Sequence, residues 1–378
     1  MTRPQRYQPL GSWTRHVFSA ATALRIAFAP AGVAATAAAA VAQPAPAKTV
    51  IDSVGPARLR VVADEADAAV AVILAPDSSA LAPAAHQLLT SEGLWALHAR
   101  ESSMHRDFTD SSMLSFLRSD SMAARAHTVR ATLAAWRATN ITGAVGRAAA
   151  YLPPGTPLRA TLYFEIKPRL NTFVFTTDSG PSLFVAIDST ISPAGFENVL
   201  AHELHHIGYD AACGARRDTT QPEPVKTAVT WMTAFGEGWA MLAAAGGPDI
   251  DPQATGDSAR RATWDNDYAH VAGDMGRLDG FFRDVLQRRV TAPDSITSAA
   301  MSFFGPVRGP WYTVGYLMVR TIETTEGRSR LLATLCNPAQ LLLTYQRIAR
   351  QRNRGSPPLP LWSDTVIDRL AATGKERH

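Results

Sequence analysis

One nine-residue segment carries the side chains that are most capable of chemistry, because it contains the pattern His-Glu-x-x-His. It reads Asn198-Val199-Leu200-Ala201-His202-Glu203-Leu204-His205-His206. At about 100° per residue on a helix, His202 and His206 lie about 40° apart on one face, so their imidazoles can reach one ion. Glu203 lies about 60° from His206, close to such an ion without having to bind it, where a carboxylate can accept a proton from water. The segment predicts a catalytic zinc site, with the two histidines as ligands and Glu203 as general base.

Zinc in such a site needs a third protein ligand, and a carboxylate later in the chain is the leading candidate. Residues 228–245 form a mostly apolar run in which Glu237 is the one charged residue. A lone carboxylate is costly to bury unless it is paired or coordinates a metal. We therefore predict Glu237 as the third ligand, with Asp188, Glu223 and Asp274 as alternatives.

Taken together, two segments resemble the gluzincin class of zinc metallopeptidases. They are His202-Glu203-Leu204-His205-His206 and Gly236-Glu237-Gly238-Trp239-Ala240. The shared motifs cover residues 198–245, and here the chain is also similar to bacterial exported families named as zinc-dependent peptidases. The resemblance implies a peptide or protein substrate, zinc held by His202, His206 and Glu237, and Glu203 as the catalytic base.

The resemblance also implies a zincin-like fold. In that fold the sheet before the active-site helix offers an edge strand to an extended substrate, here Asn171 to Phe175. The sequence departs from the pattern at Met241, because many gluzincins carry at that position an Asp that orients a histidine. The groups that orient His202 and His206 are therefore not identified, although such partners are normally needed.

A peptidase also needs a hydrogen-bond donor for the oxyanion of the tetrahedral intermediate. A predicted helix after Gly309-Pro310 carries Tyr312 as the first candidate, with Tyr316 and His270 as alternatives. A small residue at Gly315 would let this helix pack closely. His205 lies about 60° to the other side of His202, so we expect it beside the site or partly exposed, not as a ligand.

Hydrophobic periodicity indicates which elements position these side chains. Residues 61–150 are predicted to be mostly helical, and the active-site helix should start at Ser192-Pro193 and stop at Gly208. Helices should continue from there to about residue 371. Short strands are predicted at 162–166, 172–177 and 183–187. The sequence therefore predicts an α+β fold that is predominantly helical, with a small sheet before the active-site helix and a helical C-terminal lobe.

Composition excludes some classes of protein. The 378 residues are 46% hydrophobic and 19% charged, which is an ordinary globular balance. The net charge of +4 comes from four arginines in residues 1–42, and the rest of the chain balances 33 basic against 33 acidic residues. A body without net charge gives little support to a nucleic-acid partner.

The first 42 residues have the features of an export signal, with a basic region, an uncharged run and small residues at Ala40-Val41-Ala42. We expect a signal peptide at 1–42, a linker at 43–60, an N-terminal lobe at 61–211 and a C-terminal lobe at 212–378. The mature protein should be periplasmic or secreted, with no stable membrane insertion, although an uncleaved anchor is the alternative.

Neither the pairing of the two cysteines nor the oligomeric state follows from the sequence. Cys213 and Cys336 could form a disulfide in an oxidising compartment or stay as separate buried thiols. The function that the sequence favours is an exported zinc-dependent peptidase. A zinc hydrolase of non-peptide amides or esters and a catalytically silent exported binding protein are the alternatives, and the retained Glu203 argues against the silent form.

Overall fold

A five-stranded mixed sheet opens the part of the chain that this computed structural model describes. The described residues are 50–54, 57–214, 221–305, 308–355 and 358–375. The strands are β1 (Val50–Val54), β2 (Ala57–Val62), β3 (Arg159–Glu165), β4 (Thr172–Thr177) and β5 (Gly180–Ala186), in the order β1-β2-β3-β5-β4. The strands β2, β3 and β5 run parallel, whereas β1 and β4 are antiparallel to their neighbours. The strand β4 therefore lies at an edge, as the resemblance implies for Asn171 to Phe175.

The three predicted strands are present, but β1 and β2 were not predicted. They occupy much of the stretch that the sequence suggested as a linker, so that interpretation is wrong for residues 50–54 and 57–60. The alternation that marks β2 is short and contains charges, because buried Ala57 and Leu59 flank exposed Arg58. Such a short pattern is a weak signal until its partner strand is known.

Six helices fill most of the chain between β2 and β3, as predicted for residues 61–150. They are α1 (Asp64–Leu74), α2 (Ser78–Leu89), α3 (Glu92–Ser103), α4 (Asp110–Leu117), α5 (Asp120–Arg137) and α6 (Ile141–Ala150). The Tyr163 hydroxyl on one face of β3 donates to Glu92 at the start of α3. On the other face, Phe164 packs against Phe196 and Trp136. The sheet is thus covered by side chains from helices on both faces.

The helix α7 (Pro193–Cys213) begins where the sequence predicts. The Ser192 side chain accepts a hydrogen bond from the Gly195 amide, and Pro193 occupies the first turn. The predicted stop at Gly208 is wrong, because the helix continues to Cys213. Gly208 serves packing instead, since a Cβ atom there would lie 2.1 Å from Cδ1 of Leu152.

The remaining described chain is helical, which confirms a predominantly helical α+β fold. The helices are α8 (Val225–Met232), α9 (Gly236–Ala245), α10 (Ser258–Ala269), α11 (Val271–Leu286), α12 (Pro293–Ser302), α13 (Pro310–Glu326), α14 (Arg328–Leu332), α15 (Pro338–Arg352) and α16 (Asp364–Lys375), with a 3₁₀ turn at Thr233–Phe235. Within the ranges described above, no helix is long and apolar enough to cross a membrane. The predicted signal peptide lies outside the described residues, and the division into two lobes stays a prediction.

A disulfide joins Cys213 at the end of α7 to Cys336, just before α15. It closes a loop whose ends are separated by 123 residues. By the chain-entropy argument, a loop of that length contributes about 4–5 kcal/mol to the free energy of unfolding. The pairing that the sequence left open is therefore present, and it ties the active-site helix to the C-terminal helices.

Candidate metal centre

Two glycines let the helices around the site approach each other closely. A Cβ atom on Gly238 of α9 would lie 2.1 Å from the carbonyl carbon of Gly315 and from the Tyr316 amide nitrogen on α13. The backbones of α9 and α13 are thus in direct contact, as the prediction for Gly315 requires. Because Glu237 precedes Gly238, this crossing fixes where the glutamate side chain leaves α9.

Two histidines of α7 and one glutamate of α9 converge on a single point. The Nε2 atom of His206 lies 3.1 Å from Nε2 of His202 and 3.4 Å from Oε2 of Glu237, and His202 Nε2 lies 3.2 Å from that same oxygen. All three side chains are buried. Ligand atoms that sit 2.0–2.1 Å from one tetrahedral zinc ion are about 3.3–3.4 Å apart. The three residues therefore form a possible metal-binding site whose spacing fits zinc.

The charge states of two of these three donors also suit a metal. Burial lowers the pKa of His202 to about 4, against the opposing effect of a hydrogen bond to Glu237, so its imidazole is neutral. Burial alone would raise the pKa of Glu237, but the charge of His206 and hydrogen bonds from both histidines hold that pKa well below its usual range. Burial lowers the pKa of His206, but the charge of Glu237 and their hydrogen bond outweigh it and leave that pKa raised. Neutral imidazole and ionised carboxylate are the forms in which these side chains bind zinc, so His202 and Glu237 are ready for a metal, whereas His206 must give up its proton when it binds one.

The side chain of Glu203 is buried beside this cluster but is not one of its three members. Burial raises the pKa of Glu203 to about 7, although the charge of His206 lowers it. Among the described residues, its Oε2 atom has no hydrogen-bond partner. A buried carboxylate oxygen without a partner is costly, and it leaves Glu203 an acceptor that a bound molecule could use.

The three candidate oxyanion donors have different surroundings. The Tyr312 ring is buried and stacks on the His202 ring at a centroid distance of 6.5 Å. The Tyr316 hydroxyl instead donates to the carbonyl of Ile250 over 3.4 Å. His270 is exposed, with Nδ1 2.7 Å from the carbonyl oxygen of Asn266. Of the three, Tyr312 is the residue that lies against a proposed metal ligand.

The alternative third ligands are held by other partners. Asp188 accepts hydrogen bonds from Thr190, and Asp274 accepts from Thr313 and Arg277. The exposed Glu223 accepts from the Thr227 hydroxyl, also outside the cluster.

His205 is not part of the ligand cluster, as predicted, but it is fully buried and not partly exposed. Its Nε2 atom lies 3.3 Å from the carbonyl oxygen of Tyr151, and its ring stacks on Trp239. Burial lowers the pKa of His205 to about 3, so the ring is neutral. His205 therefore fixes α7 against neighbouring elements.

One charged residue at the site, Arg308, was not predicted from the sequence. Its guanidinium carbon lies 5.1 Å from the centroid of the Tyr312 ring. The available signal was its position four residues before Tyr312. Because Pro310 begins α13 between them, helical spacing alone did not place the two side chains together.

The fold and the buried His-His-Glu cluster together define an α+β protein with a possible zinc site. Residues 96–354 match the family described as "Putative zinc dependent peptidase (DUF5700)", and the chain belongs to this family. The zinc dependence in that description agrees with the predicted cofactor. No curated protein and no solved structure matches the chain.

Proposed function

We propose that this protein is an exported zinc peptidase of the gluzincin type. The observation that carries the proposal is the convergence of His202, His206 and Glu237 next to the buried carboxylate of Glu203. One helix supplies two ligands and the base, and a second helix supplies the third ligand. The family description supports peptide hydrolysis as the reaction.

Glu203 is the residue that moves protons in this proposal. Zinc, when bound, polarises the scissile carbonyl and lowers the pKa of a water molecule. Glu203 accepts a proton from the attacking water and passes it to the leaving amine nitrogen. A general base works best with a pKa near the working pH, and burial brings the pKa of Glu203 to about 7.

Tyr312 is the proposed donor to the oxyanion. Burial and the charge of Glu237 raise the pKa of Tyr312 well above its usual value, so the phenol keeps its proton at neutral pH. A protonated phenol can donate to a negative oxygen that develops near His202. The edge strand β4 supports binding of an extended peptide, because its outer backbone groups can extend the sheet.

Export to the periplasm or the medium belongs to the same proposal. The leader supports it through its basic and uncharged regions. The disulfide between Cys213 and Cys336 also supports it, because such bonds persist in oxidising compartments.

Glu203→Gln is the substitution that tests this function. It keeps the side-chain volume and all three proposed ligands, so zinc content and melting temperature should stay near those of the parent. Loss of the general base should lower casein hydrolysis by about 10²–10⁴-fold. Zinc is measured by atomic emission and hydrolysis by release of labelled peptides, each with and without chelator.

Glu223→Gln is the matched control, because the same chemical change falls on an exposed carboxylate outside the cluster. This variant should behave like the parent. Full hydrolysis by the zinc-loaded Glu203→Gln protein would rule out Glu203 as the base. A parent that binds zinc but hydrolyses no peptide would reject the peptidase assignment.

A further inference from the structure

Arg308 is a charged residue at the site that the proposed reaction does not use. It is half-buried, immediately before α13, and its guanidinium lies over the Tyr312 ring. Burial raises the pKa of Asp267 on α10, and a hydrogen bond from the Arg308 backbone N–H opposes this effect. The guanidinium therefore lies beside the site through its contact with the Tyr312 ring.

No carboxylate among the described residues forms an ion pair with the Arg308 guanidinium. The Asp267 carboxylate accepts a hydrogen bond from the Arg308 backbone and not from its guanidinium. By contrast, Arg277 lies 2.6 Å from an oxygen of Asp274, and Arg328 lies 2.8 Å from one of Glu323. A half-buried guanidinium without a carboxylate partner has hydrogen-bond donors left for a ligand.

The charge of Arg308 reaches the catalytic groups. It lowers the pKa of His202, of Glu203 and of Tyr312, although burial is the larger influence on each of them. A negatively charged group that binds beside Tyr312 would therefore also be attracted by Arg308.

We propose that Arg308 binds a carboxylate of the peptide substrate beside the scissile bond. This inference rests on the proposed peptidase function and narrows its substrate class. A guanidinium matches a carboxylate through two parallel N–H···O bonds, which ammonium groups cannot reproduce. The carboxylate is either the C-terminal group of the peptide or an Asp or Glu side chain. Both present the same chemistry to Arg308.

Two pairs of peptide libraries distinguish these sources. One library of neutral peptides is made both as free acids and as C-terminal amides, and a second, amidated library is made with either Glu or Gln at random positions. The parent should cleave the carboxylate-bearing member of one pair with a kcat/KM about 10–100-fold higher, as expected for a hydrogen bond between charged groups. A preference in the first pair identifies the C-terminal carboxylate, and one in the second pair identifies a side chain.

Arg308→Gln should abolish this preference, so that both members of the pair are cleaved equally, and Arg308→Lys should keep part of it. Arg289→Gln is the matched control, because it removes an arginine from an exposed surface ion pair. A parent without preference in either pair would overturn the inference. The same holds if Arg308→Gln slows both members by the same factor and keeps the preference.

Binding supplies a readout that does not depend on turnover. In the zinc-loaded Glu203→Gln protein, calorimetry should show tighter binding of the carboxylate-bearing peptides, and adding Arg308→Gln should remove the difference. A binding preference that persists after Arg308→Gln would reject the role of Arg308. If the preference depends on Arg308 but the parent cleaves no peptide, the peptidase function fails and the carboxylate site stands.

Discussion

The metal centre and a second buried charged cluster neutralise their carboxylates in different ways. The second cluster lies between the sheet and the helices α1 and α3. Its members are Glu65, Arg100, Glu101, Glu165 and Lys167, all of them buried. The Nζ atom of Lys167 lies 3.7 Å from Oε2 of Glu165, and Arg100 forms an ion pair with Glu101. Both cations also lie over the ring of Phe173 on β4, at 4.0 and 4.1 Å. This cluster supplies its own positive charges.

At the metal centre the partners of the carboxylate are imidazoles. Glu237 contacts His202 and His206 and, among the described residues, no lysine or arginine forms an ion pair with it. Imidazole nitrogens bring lone pairs that a zinc ion can use, whereas an ammonium or guanidinium group has none. Burial of charge alone therefore does not mark a functional site. The type of partner separates a structural cluster from a metal site.

The largest effect should come from Glu237→Gln. This change removes a charged ligand, so the purified protein should lose most of its zinc, and peptide hydrolysis should fall below detection. Glu165→Gln makes the same change in the second cluster and should leave about one zinc per chain. Metal content and hydrolysis are measured side by side. Full zinc and full activity in Glu237→Gln would direct attention to Asp188, Glu223 or Asp274.

Tyr312→Phe should have the next largest effect. If the phenol stabilises the oxyanion, turnover should fall by about 10²–10³-fold, while zinc content and stability stay near those of the parent. Steady-state kinetics with metal analysis and thermal melting measure the three quantities. An unchanged kcat would return Tyr312 to a packing role and make Tyr316 or His270 the next variant.

The smallest effect is the pH dependence of stability that Glu165 contributes in the second cluster. Burial raises the pKa of Glu165 from 4.5 to about 7, against the charge of Lys167. Between these pH values the folded chain binds more protons at Glu165 than the unfolded chain does. The contribution of Glu165 to the free energy of unfolding is therefore full below about pH 4.5 and is lost as the pH rises to about 7.

Glu165→Gln should remove this loss, because the amide is neutral at every pH. Parent and variant should have similar free energies of unfolding at pH 5. At pH 8 the free energy of unfolding of the variant should exceed that of the parent by about 1–3 kcal/mol. Urea unfolding with chelator present measures both, and Glu223→Gln serves as the exposed control. If the parent loses no stability relative to Glu165→Gln between the two pH values, the buried carboxylate is not the cause.

Features that depend on local spacing could be predicted from the sequence. The four-residue spacing of His202 and His206 places them on one face of a helix whatever the rest of the chain does. Ser192-Pro193 marks the start of that helix for equally local reasons. Glu237 stood out because its neighbours are apolar, which is also a property of the sequence alone.

Features that depend on contacts between distant segments could not be predicted in this way. The sequence left four carboxylates as third ligand, and helix packing decides among them, because His202 and Glu237 are 35 residues apart. Long-range contacts likewise joined Cys213 to Cys336 and paired β2 with β3.

The sequence is therefore enough to predict which reactive side chains α7 presents together, because side chains on a helix repeat every 3.6 residues. Which residues from distant parts of the chain come into contact is seen only in the folded structure. The contact between Gly238 and Gly315 brings α9 against α13, and Arg308 lies over Tyr312. Contacts of this kind depend on how closely two backbones can approach each other. The side chains packed between two helices set that distance, and it cannot be derived from the spacing of residues along the chain.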